Sequence, residues 1–206
     1  ILALRLFANK GDVDYSRIRA DPISDFETNT KNVRLGMPID FLDSDYHLSS
    51  EEGEKFHDFW TVVVGQLAEP DDNYRVALDK FQNSFQRENE NDRLLDCVIA
   101  LEALYLKSGE QQEMSYRLAQ RGALLLSENE DEALGIKQNL KEAYNLRSRL
   151  VHGSTADTDR ESVLRLHDLT RESLATFIEL KNEGEEHDDI IEQLDERASV
   201  PQSSSD

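Results

Sequence analysis

The segment Asn145-Leu146-Arg147-Ser148-Arg149-Leu150-Val151-His152-Gly153 brings an imidazole and two guanidinium groups into about two turns of helix. His152 follows an apolar pair and precedes a glycine suited to ending a helix. It therefore stands at the helix end whose dipole favours positive charge. A titratable imidazole beside fixed guanidinium charge suits cleavage of a phosphodiester without a metal ion. The histidine would move a proton from an attacking 2′-hydroxyl or to a leaving oxygen, and arginine would offset charge growing on the phosphate. A plainer reading stands beside this one: bases near a helix C-terminus complement the dipole, and His152 would then only cap the helix.

Other chemical templates are absent. None of the nine glycines precedes Lys-Ser or Lys-Thr in a phosphate-binding loop, and no His-Glu-x-x-His or Gly-x-Ser-x-Gly occurs. His47, His57, His167 and His187 fall on polar or acidic stretches and are expected at the surface. His187, among Glu185, Glu186, Asp188 and Asp189, would attract a cation only loosely, so no metal site is expected, and no cofactor. The single cysteine, Cys97, forms no internal disulfide and no cysteine-based zinc site; it reads as a small buried hydrophobe. Such usage suits a reducing cytoplasm, the expected location. Glu102 lies in an apolar helix and needs a partner there, with Arg117, Arg121 and Arg149 as candidates. It would either lock helices together or orient an arginine of the 147–152 segment. Arg117 and Arg121 share a helix face and are candidate contacts for RNA phosphate.

The elements that position these residues are helices. Phe56, Phe59, Trp60, Val63, Val64 and Leu67 recur at three- and four-residue spacing, as do Tyr74, Ala77, Leu78, Phe81 and Phe85. Residues 93–106 are apolar over most of the helix surface and should form a central helix, capped by Asp92. Further helices are expected over about 112–126, 132–151, where Gly153 ends the helix, and 159–181. Short loops between long helices favour an all-α, antiparallel helical bundle over residues 50–181. Residues 1–49 read as an irregular extension or the end of an upstream domain, with a strand at 1–7 and one or two more before Ser50. Residues 182–206 carry nine acids against Arg197 and read as a solvated, mostly disordered tail with at most a short helix at 188–197. No apolar run approaches the ~20 residues that span a bilayer.

The formal net charge is −20. Intrinsic disorder conflicts with the periodic apolar helices. Binding to a basic partner is one reading of the charge. A high-salt cytoplasm, which screens surface acidity, is the one we favour. Residues 113–152 are an exception. Arg117, Arg121, Lys137, Lys141, Arg147 and Arg149 balance Glu113, Glu128, Glu130, Asp131, Glu132 and Glu142. A less acidic patch around the Arg-His segment is what an RNA site on an acidic protein needs.

Three blocks resemble the HEPN family (higher eukaryotes and prokaryotes nucleotide-binding), in its Apea-like branch. They are residues 92–106 (DRLLDCVIALEALYL), residues 116–121 (YRLAQR), and residues 144–153 (YNLRSRLVHG) with its Arg147-x4-His152. The resemblance spans about residues 50–181, and its specific motifs lie within 92–153. It implies a helical bundle that dimerises with two Arg-His motifs facing one cleft. It also implies metal-independent endoribonuclease activity, often in toxin–antitoxin, phage-defence and abortive-infection systems, although many members have no demonstrated activity. On this chain His152 would be the acid/base and Arg147 the phosphate-stabilising group. Ser148 stands where Asn is frequent after the arginine, which leaves the arginine's positioning open; Ser148, Arg149 and Glu102 would support the pair. The competing reading is a non-catalytic helical module for dimerisation, docking or nucleotide binding. A third has the acidic tail binding basic proteins.

Overall fold

The computed structural model describes residues 2–7, 50–68, 72–153 and 158–199, and all of its regular elements are helices. They are α1 (Leu2–Phe7), α2 (Ser50–Ala68), α3 (Asp72–Ser84), α4 (Glu90–Tyr105), α5 (Met114–Leu126), α6 (Glu130–Val151), α7 (Arg160–Asn182) and α8 (His187–Ser199). The protein is thus an all-α helical bundle. The strand expected at residues 1–7 is a correction: this segment is α1, whose Ala3 and Leu6 are almost wholly buried. A seven-residue apolar run fits a strand or a buried helix equally well, and the packing partner decides. The strands expected within residues 8–49 lie outside the described residues.

α4 is the central helix. Leu94, Cys97, Val98, Ala100, Leu101, Leu104 and Tyr105 are buried around most of its circumference, against α3, α5, α6 and α7. Asn89, not Asp92, caps it: the Asn89 side chain accepts from the Asp92 backbone N–H at 2.8 Å. Asn129 and Asp159 cap α6 and α7 in the same way, through Glu132 and Ser162. Each cap satisfies an orphan N–H of the first turn. Tyr74 donates to the Phe177 carbonyl at 2.8 Å and Tyr105 to Ser173 at 2.8 Å, pinning α3 and α4 to α7.

α5 and α6 run antiparallel, Met114 meeting Tyr144 and Gln120 meeting Lys137. Their closest approach is at Gly122, where an added Cβ would collide with the buried Leu140 side chain. α2 is held more lightly, through α1 and α7. Within its expected apolar stripe Val63 is fully buried, Phe56 and Phe59 are half-buried, and Trp60 and Val64 are exposed.

Residues 182–206 require a second correction. The short helix expected at 188–197 is α8, but the stretch is no solvated tail: α8 packs on α5, with Ile190, Ile191 and Leu194 at most 3 % exposed. His187 is buried rather than at the surface; it donates from Nε2 to the Leu104 carbonyl at 2.8 Å and accepts on Nδ1 from the Asn73 amide at 3.2 Å. His167 is likewise buried, against the Phe81 and Phe85 rings, with Nε2 3.1 Å from the Ser84 hydroxyl. Aromatic packing outweighs the polar neighbours in sequence at both positions. His57 is exposed as expected, and His47 lies outside the described residues. Among the described residues no helix is long and apolar enough to cross a membrane.

Candidate functional site

Three helices meet around the 144–153 segment. α6 supplies Tyr144, Arg147 and Ser148 and ends at His152; α4 supplies Glu102, one turn before its own end; α5 begins at Met114 beside Tyr144. Burial of the α6 stripe Ile136, Leu140, Ala143 and Leu146 fixes the rotation of the helix. That rotation turns Arg147 toward α4, where its Nη2 lies 3.5 Å from Glu102 Oε2. The carboxylate expected to need a partner therefore has one, Arg147 of the Arg-His segment, and not the named candidates Arg117, Arg121 or Arg149.

This pair is incompletely satisfied. The contact is long, and Glu102 Oε1 and Arg147 Nε are both buried without a hydrogen-bond partner. Leaving such atoms unmatched costs about 1–3 kcal/mol each. Burial raises the Glu102 carboxyl above its usual range, and Arg147 only partly opposes the shift. The Tyr144 phenol, 3.6 Å from Met114 Sδ, is raised by burial and by the Glu102 charge. Arg147 keeps 30 % of its side chain exposed.

His152 is the C-cap residue of α6. Its backbone N–H donates to the Ser148 carbonyl at 3.2 Å, and Gly153 follows at φ 76°, the left-handed conformation that releases the chain from the helix. The imidazole is exposed, as are Val151 and Arg149; Ser148 is half-buried. A five-residue step in a helix turns about 140° and rises about 7.5 Å. Arg147 and His152 therefore leave α6 in directions about 140° apart.

Arg117 and Arg121 lie elsewhere. Arg121 is only 1 % exposed and uses its full donor set: two bonds to Glu110, two to Asp195 and one to the Tyr105 carbonyl, all between 2.6 and 2.8 Å. Arg121 holds the Glu110 carboxyl below its usual range; burial pulls the guanidinium down, but Glu110 and Asp195 together raise it above its own. Arg121 is thus a structural clamp between α5, the α4–α5 turn and α8, a correction to its assignment as an RNA contact. The i, i+4 spacing showed a shared face but not that α8 would cover it. Arg117 is 39 % exposed and lies 3.4 Å from Glu110, which it shares with Arg121. Sequence reasoning missed Tyr144 as a neighbour of Glu102 and Arg147; the one-turn interval from Tyr144 to Arg147 and Ser148 was the available signal. Among the described residues no group of His, Cys, Asp and Glu is placed to hold a metal ion.

No family model, no curated protein and no solved structure matches the chain.

Proposed function

We propose that the protein is a metal-independent endoribonuclease of the HEPN type, acting as a homodimer and serving as the effector module of an antiviral or toxin-like defence system. The observation that carries this reading is the Arg147–Glu102 pair. It is half-open and under-satisfied, and it stands five residues before an exposed His152 at a helix end. A structural ion pair would be expected to bury a matched set of bonds, as Arg121 does. In the proposed reaction the 2′ oxygen forms a bond to phosphorus while its proton passes to a neutral imidazole. The bond from phosphorus to the 5′ oxygen breaks, and that oxygen takes a proton from a protonated imidazole. The products are a 2′,3′-cyclic phosphate and a 5′-hydroxyl. Arg147 offsets the charge on the non-bridging oxygens, and Glu102 acts as its positioning residue. Two copies facing across a two-fold axis supply both imidazoles and bring Arg147 of one chain near the histidine of the other.

Purified protein is expected to cut single-stranded or structured RNA in EDTA, leaving cyclic phosphate ends. His152→Ala should lower the rate at least about 100-fold while keeping the thermal transition, and Arg147→Ala should lower it as far. Glu102→Gln should lower kcat but leave RNA affinity unchanged, with partial activity retained by Glu102→Asp. Cleavage by His152→Ala equal to that of wild type sinks the proposal.

The second reading is a non-catalytic helical module for dimerisation, docking or nucleotide binding. It is favoured by the contact of Arg147 with Glu102 inside one chain and by the angle separating Arg147 from His152. Under it, RNA stays intact and His152→Ala changes only association or ligand affinity.

A further inference from the structure

We infer that one face of α6, with the start of α5 beside it, is a track for single-stranded RNA leading to His152. The inference rests on the nuclease reading above and specifies how its substrate is held. Lys137, Lys141, Asn145, Ser148 and His152 stand at i, i+4, i+8, i+11 and i+15, and so line one face. Lys141, Asn145 and His152 are exposed, Lys137 and Ser148 are half-buried, and the exposed Arg149 flanks the row. From Lys137 to His152 the face runs about 22 Å along the helix.

The surface is locally basic. The only acid between residues 133 and 152 is Glu142, which is turned about 100° around the helix from Lys141. α5 carries no acid at all between Met114 and Leu126, and Glu110 beside it is already matched by Arg121. On a chain of net charge −20, a polyanion meets little favourable surface, and this stripe offers it. By contrast the outer side of α8 presents Asp188, Asp189, Glu192 and Glu196 to solvent.

An aromatic ring lies at the far end of the track. Tyr116, on the first turn of α5, is 52 % exposed, and the Lys137 ammonium lies 4.8 Å from its ring centroid while also bonding the Gln120 side chain. The ring is thereby held in place with half its surface open. An exposed aromatic interleaved with lysines is the arrangement that stacks a base while cations follow the backbone. A basic surface for an acidic protein would need the lysines but not the ring.

The test uses the full chain and a 2′-O-methyl oligouridylate, which lacks the attacking hydroxyl, with binding read by fluorescence anisotropy at low salt. Wild type should bind. Lys137→Gln with Lys141→Gln should weaken binding about ten-fold or more and flatten the dependence of log affinity on log salt by about 1.4. Tyr116→Ala should weaken it at least about five-fold. Lys141→Gln alone, at an exposed position, gives a variant whose fold is secure and should still lose several-fold. Arg165→Gln, on the exposed side of α7, should change nothing. The inference is overturned if wild type fails to bind, if the α6 variants bind as wild type does, or if Arg165→Gln weakens binding equally. It is also overturned if Lys141→Gln alters self-association in sedimentation rather than RNA affinity, because the face is then an interface between copies. Failure of the nuclease reading is separate: His152→Ala would then cleave 2′-hydroxyl RNA at the wild-type rate, whatever the track variants do.

Discussion

At the scale of single residues, burial decides what each ionisable group can do. His167 is enclosed by Phe81 and Phe85, and its imidazole is pulled down to about 3, first by burial and then by the nearby charges of Arg5, Arg171 and Arg93. Its ordinary value is 6.5. Above pH 6.5 the ring is neutral in both folded and unfolded chains and costs nothing. Below it the unfolded chain takes a proton that the folded chain refuses. Stability therefore falls as pH drops from about 6.5 toward about 3, by up to a few kcal/mol. His167→Gln retains a partner for Ser84 and removes the titration, so its urea midpoint should fall less over that window than that of wild type. Parallel profiles for the two proteins would show that His167 is not the group taking the proton. The sequence placed His167 at the surface because its neighbours are polar. It did identify Glu102 as a buried carboxylate in need of a partner, since a charge in an apolar helix is legible from pattern alone. Which arginine answers it depends on how α6 is rotated against α4.

At the scale of elements, the helix boundaries expected from apolar period and capping residues lie within a few residues of those observed from α2 to α7. Caps and 3.6-residue stripes are local properties. The short helix expected at 188–197 is α8, but its docking was not legible, because a run of acids conceals the Ile190, Ile191 and Leu194 stripe that buries it. Its anchor is the Arg121 clamp, in which Asp195 supplies two of the five bonds to the guanidinium. Asp195 retains 41 % of its side-chain exposure, whereas Arg121 has almost none. Asp195→Ala should therefore destabilise the protein by about 2–4 kcal/mol, because it leaves Nε and one Nη2 hydrogen of a buried guanidinium without an acceptor. Hydrogen exchange should be fastest to rise in α8. An unchanged thermal transition with α8 still protected would contradict the clamp. Deleting residues 182–206 is accordingly no neutral test of partner binding by the tail, since it removes part of the core.

At the scale of the whole molecule, net charge opposes compaction. With 43 acids against 23 lysines and arginines, self-repulsion is relieved by screening. The melting temperature should rise by several degrees between about 0.1 M and about 2 M potassium chloride. A flat or falling trend would show that pairing such as Asp96 with Lys80 and Arg87 already compensates the excess. RNA affinity through the α6 face should fall over the same range, since binding to phosphate releases counterions. The proposed activity and the stability of the fold thus make opposite demands on salt, and the near-neutral span from 113 to 152 is where they meet.

The sequence by itself determined that residues 50–181 are helical, that residues 93–106 form their centre, and that Arg147 and His152 lie near the end of a long helix. Each follows from periodicity, propensity and capping, which act over a few residues. Only the tertiary structure decided that Arg147 meets Glu102 while His152 remains exposed. It also decided that Arg121 is sealed beneath α8, and that Lys137, Lys141 and Tyr116 share an open surface. These outcomes depend on the rotation and docking of helices far apart in the chain. That rotation is set by burying apolar faces together, and no single helix carries the information alone.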